Sequence, residues 1–473
     1  MNVNFFPTRW RALLLAPLLV LSCSTGFAQV RLNAPHTEPI PPKWMFGYMQ
    51  SQWGDSFGYG YQASFLDHAR ALRGQDNQYG HHQHPADVIV LDMFWDGLNW
   101  DWPKNMIWDN GRFPNPKQMI DELHAMHFKI IMNYHDSGFG SEWLNYMRDD
   151  FAKGLDAPWL DFWTAGSSHE QAVWDLMRSV RGTDKRLAFM ARHYARPSLR
   201  NHEGNNGNGL GIEKVPNEDD IEKTMPVHWT GDVEGSWGGF QESIEGVVYS
   251  TDGAAGGWSY LHTDTPGHSG GDDPELAARW IQFSDFTTTT RNHGWMGRDV
   301  WSWGAEVEKI SFDSRMLRYR LLPYIYRSAW EIWENAMPMT RPMTVACPGE
   351  ADGLKYQYFF GDSLLVAPVY KKAADFPGGT MPVYLPRNTE WINYWTRAVS
   401  AGGQTINVTV NDRAHIPLFV KRGAIIPMGP EIYWIDPTQH ANPLTLDIYP
   451  LGACRTEKSA LPSVRPIFSR LLA

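Results

Sequence analysis

Short apolar runs alternate with amphipathic stretches between residues 44 and 336 of the chain. There are eight such runs, and each is continuously apolar rather than alternating between apolar and polar residues. A parallel strand that is buried on both faces requires this pattern. The runs are "WMFGYMQS", "DVIVLD", "KIIMNYHD", "APWLDFW", "RLAFMAR", "PVHWTGD", "GWSYLHTD" and "FTTTTRNH", which begin at residues 44, 87, 129, 157, 186, 226, 257 and 286.

The stretches between the runs have helical spacing. In "NPKQMIDELHAMHF", Asn115 is a predicted N-cap, Pro116 suits the first helical turn, and Met119, Leu123 and Met126 share one face. Eight strand–helix units predict an α/β fold, a (β/α)8 TIM barrel over residues 41–337. A doubly wound sheet is the alternative, but no glycine-rich phosphate-binding motif follows the first run.

Further strands are predicted after the barrel. The segments "MPVYLP", "EWINYW", "QTINVTV" and "HIPLFVKRG" are separated by turns and indicate a small all-β, β-sandwich-like domain at 338–428. In the remaining segment, 429–473, "LTLDIYP" has strand character but the residues after it do not alternate. We interpret 429–473 as a truncated or aberrant distal β-segment.

The first 28 residues have the pattern of a signal peptide. Two arginines precede an apolar run from Ala12 to Leu21, and small residues precede the predicted cleavage after Ala28. The run is too short to span a membrane. We therefore expect export to the periplasm or the exterior, with lipoprotein anchoring at Cys23 as the alternative.

The composition of the chain limits the kinds of ligand and partner that we expect. A formal net charge of −10 argues against nucleic acid, because phosphate contacts need clustered lysine and arginine. The chain has 23 tryptophans, which either fill a tryptophan-rich core or stack on the apolar faces of sugar rings. "HHQHP" at 81–85 is either a metal site or a polar loop, and we expect the loop. No metal and no cofactor are predicted.

Seven of the eight runs end in ionisable residues. In a (β/α)8 barrel the carboxyl ends of the strands form the active-site face. The pattern therefore predicts a cup lined with carboxylates and flanked by tryptophans. The residues at the ends of the runs are Asp92, His135 with Asp136, Asp161, Arg192 with His193, Asp232, Asp264, and Arg291 with His293; the flanking tryptophans are Trp95, Trp163, Trp229 and Trp237.

Such a cup suits glycoside hydrolysis. One carboxyl protonates the leaving oxygen, and a second attacks the sugar or activates water. Asp161 and Asp232 follow the fourth and sixth runs, but Asp92 and Asp264 are also available. The residues alone leave several catalytic pairs open.

An ordered set of motifs resolves the choice by resemblance. "WLDFW", "PVHWTGD", "HTDTPGH", "PELAARWIQF", "TTRNH", "LRYRLLPYIYR", "TRPM" and "QYFFGDSLLVAPV" occur in this order. Together, over residues 41–428, they resemble glycoside hydrolase family 31, which contains α-glucosidases and α-xylosidases. The resemblance implies a retaining exo-acting α-glycosidase that acts on an oligosaccharide or another glycoside.

The resemblance also implies roles for individual residues. Asp161 is the implied nucleophile, which works ionised. Asp232 is the implied acid/base, which must first hold a proton, and we expect a dry site beside Trp229 to favour this. Glu234 is the competing acid. The implied substrate-binding residues are Asp92, Phe94, Trp95, Arg192, Trp229, Asp264 and His293.

Phe94 bears on the choice of sugar. Family members that bind glucose often have an aspartate at this position, and Phe94 cannot make its hydrogen bond. This favours an α-xylosidase, or a member that binds glucose in another way. Family members usually carry a β-sandwich before the barrel, whereas the barrel motifs here begin at Pro41. The missing sandwich makes an inactive truncated remnant one alternative. The other is an α-glycosyltransferase on the same barrel, in which a sugar hydroxyl replaces water in the second step.

Overall fold

A computed structural model describes most of the chain from Ile40 onward. The described residues are 40–52, 61–97, 106–135, 143–161, 167–182, 186–192, 227–249, 254, 259–294, 298–350, 353–436 and 441–451. The predicted signal peptide, Cys23, Asp136, Trp163 and His193 lie outside these ranges, so export remains a prediction. No helix within the described ranges is long and apolar enough to cross a membrane.

All eight runs form strands of one parallel sheet. The first and last barrel strands pair with each other, and a parallel bridge between Thr265 and Asn292 joins the seventh position to the eighth. The sheet thus closes into a barrel, which confirms the (β/α)8 prediction over the doubly wound alternative. The barrel strands are β1 (Tyr48–Gln52), β2 (Val88–Leu91), β3 (Lys129–His135), β4 (Ala157–Asp161), β5 (Met190–Arg192), β6 (Val227–Trp229), β8 (Leu261–His262) and β10 (Thr290–Asn292), while β7 (Glu234–Gly235) and β9 (Ser269–Gly270) pair with each other outside it.

Helices follow most of the barrel strands. Asn115 occupies the N-cap position as predicted, although its side chain makes no capping hydrogen bond. The helices are α1 (Gln62–Leu72), α2 (Pro116–Ala125), α3 (Trp143–Lys153), α4 (Ser167–Arg181), α5 (Trp237–Ile244), α6 (Pro274–Ser284), α7 (Ala305–Arg320) and α8 (Leu322–Asn335), with a short turn, α9 (Met343–Ala346), after them.

Two apolar clusters explain why the runs are continuous. Alternate strand residues such as Val90, Ile131 and Trp159 belong to a cluster that runs from the barrel interior into the β-domain. Their neighbours Ile89 and Ile130 belong to a second cluster, which packs against the helices. Because successive side chains point to opposite faces of a strand, both faces of the sheet are buried.

The all-β domain packs against the barrel. Its predicted segments form β14 (Thr380–Leu385), β15 (Glu390–Asn393), β17 (Gln404–Thr409) and β18 (Leu418–Lys421). The segment "LTLDIYP" contains β20 (Thr445–Ile448), which pairs with β19 (Ile425–Met428). Arg279 of α6 donates to the carbonyl of Val410 at 2.6 Å, which ties the domain to the barrel. The strands are β11 (Thr340–Pro342), β12 (Tyr358–Phe360), β13 (Leu364–Val366), β14 (Thr380–Leu385), β15 (Glu390–Asn393), β16 (Val399–Ala401), β17 (Gln404–Thr409), β18 (Leu418–Lys421), β19 (Ile425–Met428) and β20 (Thr445–Ile448).

Candidate active site

The strand register brings polar side chains together at the carboxyl end of the barrel. On β4, Asp161 lies two residues beyond Trp159, which points into the barrel interior. Asp92 follows β2 and is likewise two residues beyond Val90, an interior residue. The period of two therefore directs both carboxyl groups inward, at the end of the strands where barrel enzymes bind substrate.

Asp92 and Asp161 are both buried and share one hydrogen-bond donor. They expose 2% and 4% of their surface, respectively. The amide nitrogen Nδ2 of Asn133 lies 2.5 Å from Oδ1 of Asp92 and 3.3 Å from Oδ2 of Asp161. Burial, and then the charge of Asp161, raise the pKa of Asp92 to about 8. Burial beside a second carboxyl group therefore favours the neutral form of Asp92.

Asp264 is also buried but has a cationic partner. Nη2 of Arg291 donates to Oδ1 of Asp264 at 2.5 Å, and neither side chain is exposed. The guanidinium also lies over the rings of Trp159 and Trp229, 4.5 Å and 5.4 Å from their centroids. Trp229 is itself fully buried. In the structure, Asp264 and Trp229 thus support the floor of the cup, and their predicted sugar contacts remain predictions.

His293 lies between the barrel interior and Asp92. Its Nδ1 is 2.9 Å from the hydroxyl oxygen of Ser51 and 3.6 Å from Oδ2 of Asp92. The ring packs edge-on against Trp159 with centroids 5.2 Å apart. The structure therefore brings His293 and Asp92 together, as expected for two residues that serve one subsite.

Asp232 lies three residues after the end of β6, on a loop that is tied to the loop after β8. The backbone N–H of His268 donates to the carbonyl of Val233 at 2.6 Å, and β7 pairs with β9 just beyond. This approach requires glycine, because Gly267 has φ +100° and a Cβ there would lie 2.4 Å from the Cα of Gly235.

The prediction that Asp232 lies in a dry site is wrong. Its side chain is 34% exposed, and Nε2 of His268 lies 4.0 Å from its Oδ2. Asp232 stands on the loop after β6, whereas Trp229, the last residue of β6, is fully buried. Glu234, the competing acid, is exposed and belongs to β7.

The other predicted residues are distributed around this centre. Phe94 is buried with φ +69°, and its carbonyl accepts a hydrogen bond from Nη1 of Arg112 at 2.5 Å. Trp95 is buried on the helix side of the sheet, where its Nε1 donates to the carbonyl of Asn133 at 2.8 Å. Arg192 ends β5 at the same rim. Its side chain lies outside what the structure describes, as does that of His135, the last residue of β3.

Sequence reasoning missed three members of the site. Asn133 interrupts the apolar run of β3, and a polar residue at an interior position was the available signal. Arg291 marked a strand end but was assigned no role. His268 approaches Asp232 through the pairing of two loops, which no local pattern encodes.

No group of three or more histidine, cysteine, aspartate or glutamate side chains suited to a metal ion occurs within the described ranges. In "HHQHP", His82 and His84 lie 2.7 Å and 3.6 Å from Glu308. His82 also stacks on Trp301 with centroids 4.1 Å apart. These contacts give the segment a structural role beside α7.

A closed barrel with buried carboxyl groups at the carboxyl ends of its strands, followed by an all-β domain, is an architecture typical of glycoside hydrolases. The chain belongs to glycosyl hydrolase family 31. The profile of the family's TIM-barrel domain matches residues 38–159 and 222–328, and that of its C-terminal domain matches 336–426.

Several characterised proteins are similar to the chain. An α-xylosidase from Saccharolobus solfataricus is 26% identical over 84% of the chain and 58% of its own length. Alpha-glucosidase 2 from Bacillus thermoamyloliquefaciens is 26% identical over 83% and 54%. The crystal structure of a family 31 α-xylosidase from Xanthomonas citri superimposes with a TM-score of 0.70 at 22% identity, over 88% of this chain and 50% of that one. The chain thus spans about half the length of the relatives it matches.

Proposed function

We propose that the chain is a retaining, exo-acting α-glycosidase that releases terminal α-linked glucose or xylose from oligosaccharides by double displacement. The observation that carries the proposal is the contrast between two carboxyl groups. Asp161 is 4% exposed at the end of β4, whereas Asp232 is 34% exposed on a tied loop. A nucleophile benefits from a sheltered, fixed position, and an acid/base must exchange protons with water in every cycle.

In the first half-reaction, a carboxylate oxygen of Asp161 attacks the anomeric carbon of the terminal sugar. The bond from that carbon to the leaving oxygen breaks, and Asp232 donates its proton to this oxygen. The raised pKa of Asp92 favours its neutral form, in which it can donate a hydrogen bond to a sugar hydroxyl beside Asp161. The product is a glycosyl ester of Asp161 and a free alcohol.

In the second half-reaction, water enters beside Asp232, which is now ionised. Asp232 takes a proton from the water while the oxygen of the water attacks the anomeric carbon, and the ester bond to Asp161 breaks. Two displacements at the same carbon retain the α-configuration. Arg291 donates to Asp264, and His293 contacts Ser51. These contacts hold the residues around Asp92 and Asp161 in place.

For the sugar, we propose a preference for xylose. Phe94 is buried beside Met93 next to Asp92, and its ring can offer no hydrogen bond to a hydroxymethyl group. Xylose lacks this group, so an apolar wall at Phe94 suits it better than it suits glucose. The α-xylosidase among the relatives supports this choice.

The test measures hydrolysis of 4-nitrophenyl α-xyloside, α-glucoside and α-galactoside by the full chain, with the configuration of the released sugar followed by NMR. We expect turnover with retention, fastest on the xyloside. Asp161→Asn should lower kcat/KM by about 10⁴-fold, and Asp232→Asn by about 10²–10⁴-fold. The matched control is Glu234→Gln, which removes the neighbouring carboxylate and should stay within about twofold of the wild type.

Each other outcome has a distinct meaning. A folded chain that turns over none of the glycosides would contradict the proposal and favour an inactive remnant. Loss of activity in Glu234→Gln but not in Asp232→Asn would reassign the acid/base. New oligosaccharides as the main products at high substrate concentration would show that a sugar hydroxyl replaces water in the second half-reaction, which is glycosyltransferase activity.

A further inference from the structure

Asn133 occupies a position that the catalytic scheme above does not explain. It lies on β3, between the strand that leads to Asp92 and the strand that ends in Asp161. In the parallel register Met132 lies opposite Leu91, and Asn133 lies opposite Trp159. The barrel therefore places its side chain between the two carboxyl groups, in the interior, where it is 2% exposed.

The contacts of Asn133 are those of a shared donor. Nδ2 carries two hydrogens, and its neighbours are Oδ1 of Asp92 at 2.5 Å and Oδ2 of Asp161 at 3.3 Å. The backbone carbonyl accepts from the indole of Trp95 at 2.8 Å, which fixes the strand at this residue. A neutral amide can satisfy two acidic groups at once without adding charge, and a buried carboxyl group without a donor is costly.

Other side chains of similar size would fail here for physical reasons. Aspartate would place a third carboxyl group among two that already repel each other. Leucine has nearly the same shape but no donor, so both carboxyl groups would lose a hydrogen bond. The attack is efficient only when a carboxylate oxygen faces the anomeric carbon and is held within a fraction of an ångström of its productive position.

We propose that Asn133 is a positioning residue: it holds the carboxylate of Asp161 in its attacking orientation and keeps it apart from Asp92. This inference rests on the proposed function, in which Asp161 is the nucleophile. Its consequence is a defect in the first displacement rather than in sugar binding. Removing the donor should also make ionisation of the pair harder, because a hydrogen bond to a carboxylate favours the charged form.

The test compares Asn133→Leu with the wild type on a 2,4-dinitrophenyl α-glycoside of the preferred sugar, whose leaving group needs no protonation. We expect kcat to fall by about 10²-fold, with KM within about threefold of the wild type. The acidic limb of the kcat/KM profile should move to higher pH. Asn133→Ser, which keeps a shorter donor, should recover part of kcat. The matched control, Asn115→Leu, changes an exposed asparagine whose side chain makes no cap and should leave kinetics and pH profile unchanged.

A covalent label separates this inference from the proposed function. A 5-fluoro glycosyl fluoride should label Asp161 in the wild type, as located by peptide mass mapping, and should do so about 10²-fold more slowly in Asn133→Leu. No label and no turnover in the wild type would remove the function itself. A labelled, active wild type with an equally fast Asn133→Leu would overturn only the role of Asn133. A lower melting temperature with unchanged kcat and pH profile would show that Asn133 is merely structural.

Discussion

The two ends of the barrel bury charged side chains in different ways. Asp156 lies just before β4, at the amino end of the barrel, and it is surrounded by donors. His124 Nε2, Lys129 Nζ and the backbone N–H of Ile130 lie 2.7, 3.0 and 3.0 Å from its oxygens. Burial raises the pKa of Asp156, but the hydrogen bond from His124 and the charge of Lys129 outweigh it and hold the pKa below its usual value.

At the carboxyl end, Asp92 is equally buried but faces another carboxyl group. Burial and the charge of Asp161 raise its pKa to about 8, and Asn133 and the backbone of Met93 offset this only in part. Burial alone therefore does not mark an active site. The mark is a buried charge that its surroundings leave incompletely compensated, because such a group is kept for reactivity rather than for stability.

One carboxyl group at the amino end lies between these extremes. Asp87 is buried, and burial raises its pKa to about 6. It accepts hydrogen bonds from the hydroxyl of Tyr319 and, at 2.7 Å, from the backbone N–H of Ile435. Its contacts join the barrel to the segment after the β-domain, so Asp87 is a structural group with partial compensation.

The largest expected effect is the loss of a compensated charge at the amino end. Arg318 is fully buried and donates to four backbone carbonyls at 2.7–2.9 Å. Arg318→Met should lower the free energy of unfolding by about 3–5 kcal/mol, because the acceptors stay buried without their donor. Urea denaturation followed by circular dichroism measures the change.

The matched control for Arg318 lies two residues away on the same helix. Arg320 is partly exposed, so Arg320→Met should change the free energy of unfolding by less than about 0.5 kcal/mol. If Arg318→Met were as mild as its control, the amino end would not be the stabilising end of the barrel, and the comparison would collapse.

The next prediction is that the contributions of Asp156 and Asp92 to stability change with pH in opposite directions. The folded pKa of Asp156 lies below its unfolded value, so its contribution to stability is present above the unfolded pKa and is lost as the pH falls. Asp156→Asn should cost about 1–3 kcal/mol at pH 7. The folded pKa of Asp92 is about 8 against an ordinary 3.8, so its contribution is present below pH 3.8 and is lost as the pH rises toward 8.

Asp92→Asn should therefore remove a decline in stability between about pH 4 and 8 and leave the chain more stable than the wild type above pH 8. Urea titrations of the wild type and both variants at pH 5, 7 and 9 measure these differences. Two variants with the same sign at pH 9 would mean that Asp92 is as well compensated as Asp156.

The same contrast explains how much the sequence could predict. The eight barrel strands were predictable because burial on both faces gives continuous apolar runs, and Asp92 and Asp161 were predictable because they end such runs. In the β-domain, β11, β12 and β13 have three residues each, too few to show a period. They were therefore covered by the predicted domain but not resolved as strands.

The surroundings of the site depend on contacts that sequence patterns do not carry. Asp232 was expected in a dry site, but it stands on a loop held by pairing with residues more than thirty positions away. Asn133 looked like part of a strand until the register placed it between two carboxyl groups. Local pattern predicts which residues face the cup, whereas their protonation and orientation follow from neighbours on other strands.

The smallest expected effect concerns a charged group that faces solvent at the carboxyl end. Asp273 caps α6, where its Oδ1 accepts from the backbone N–H of Glu275 at 2.9 Å, and Lys372 lies 3.4 Å from Oδ2. Asp273→Ala should lower the free energy of unfolding by about 1 kcal/mol. Asn115→Ala should cost less, because Asn115 occupies an N-cap position without a side-chain hydrogen bond. Thermal unfolding of both variants measures the difference. Equal losses would indicate that the N-cap position, rather than the side-chain hydrogen bond, sets the effect.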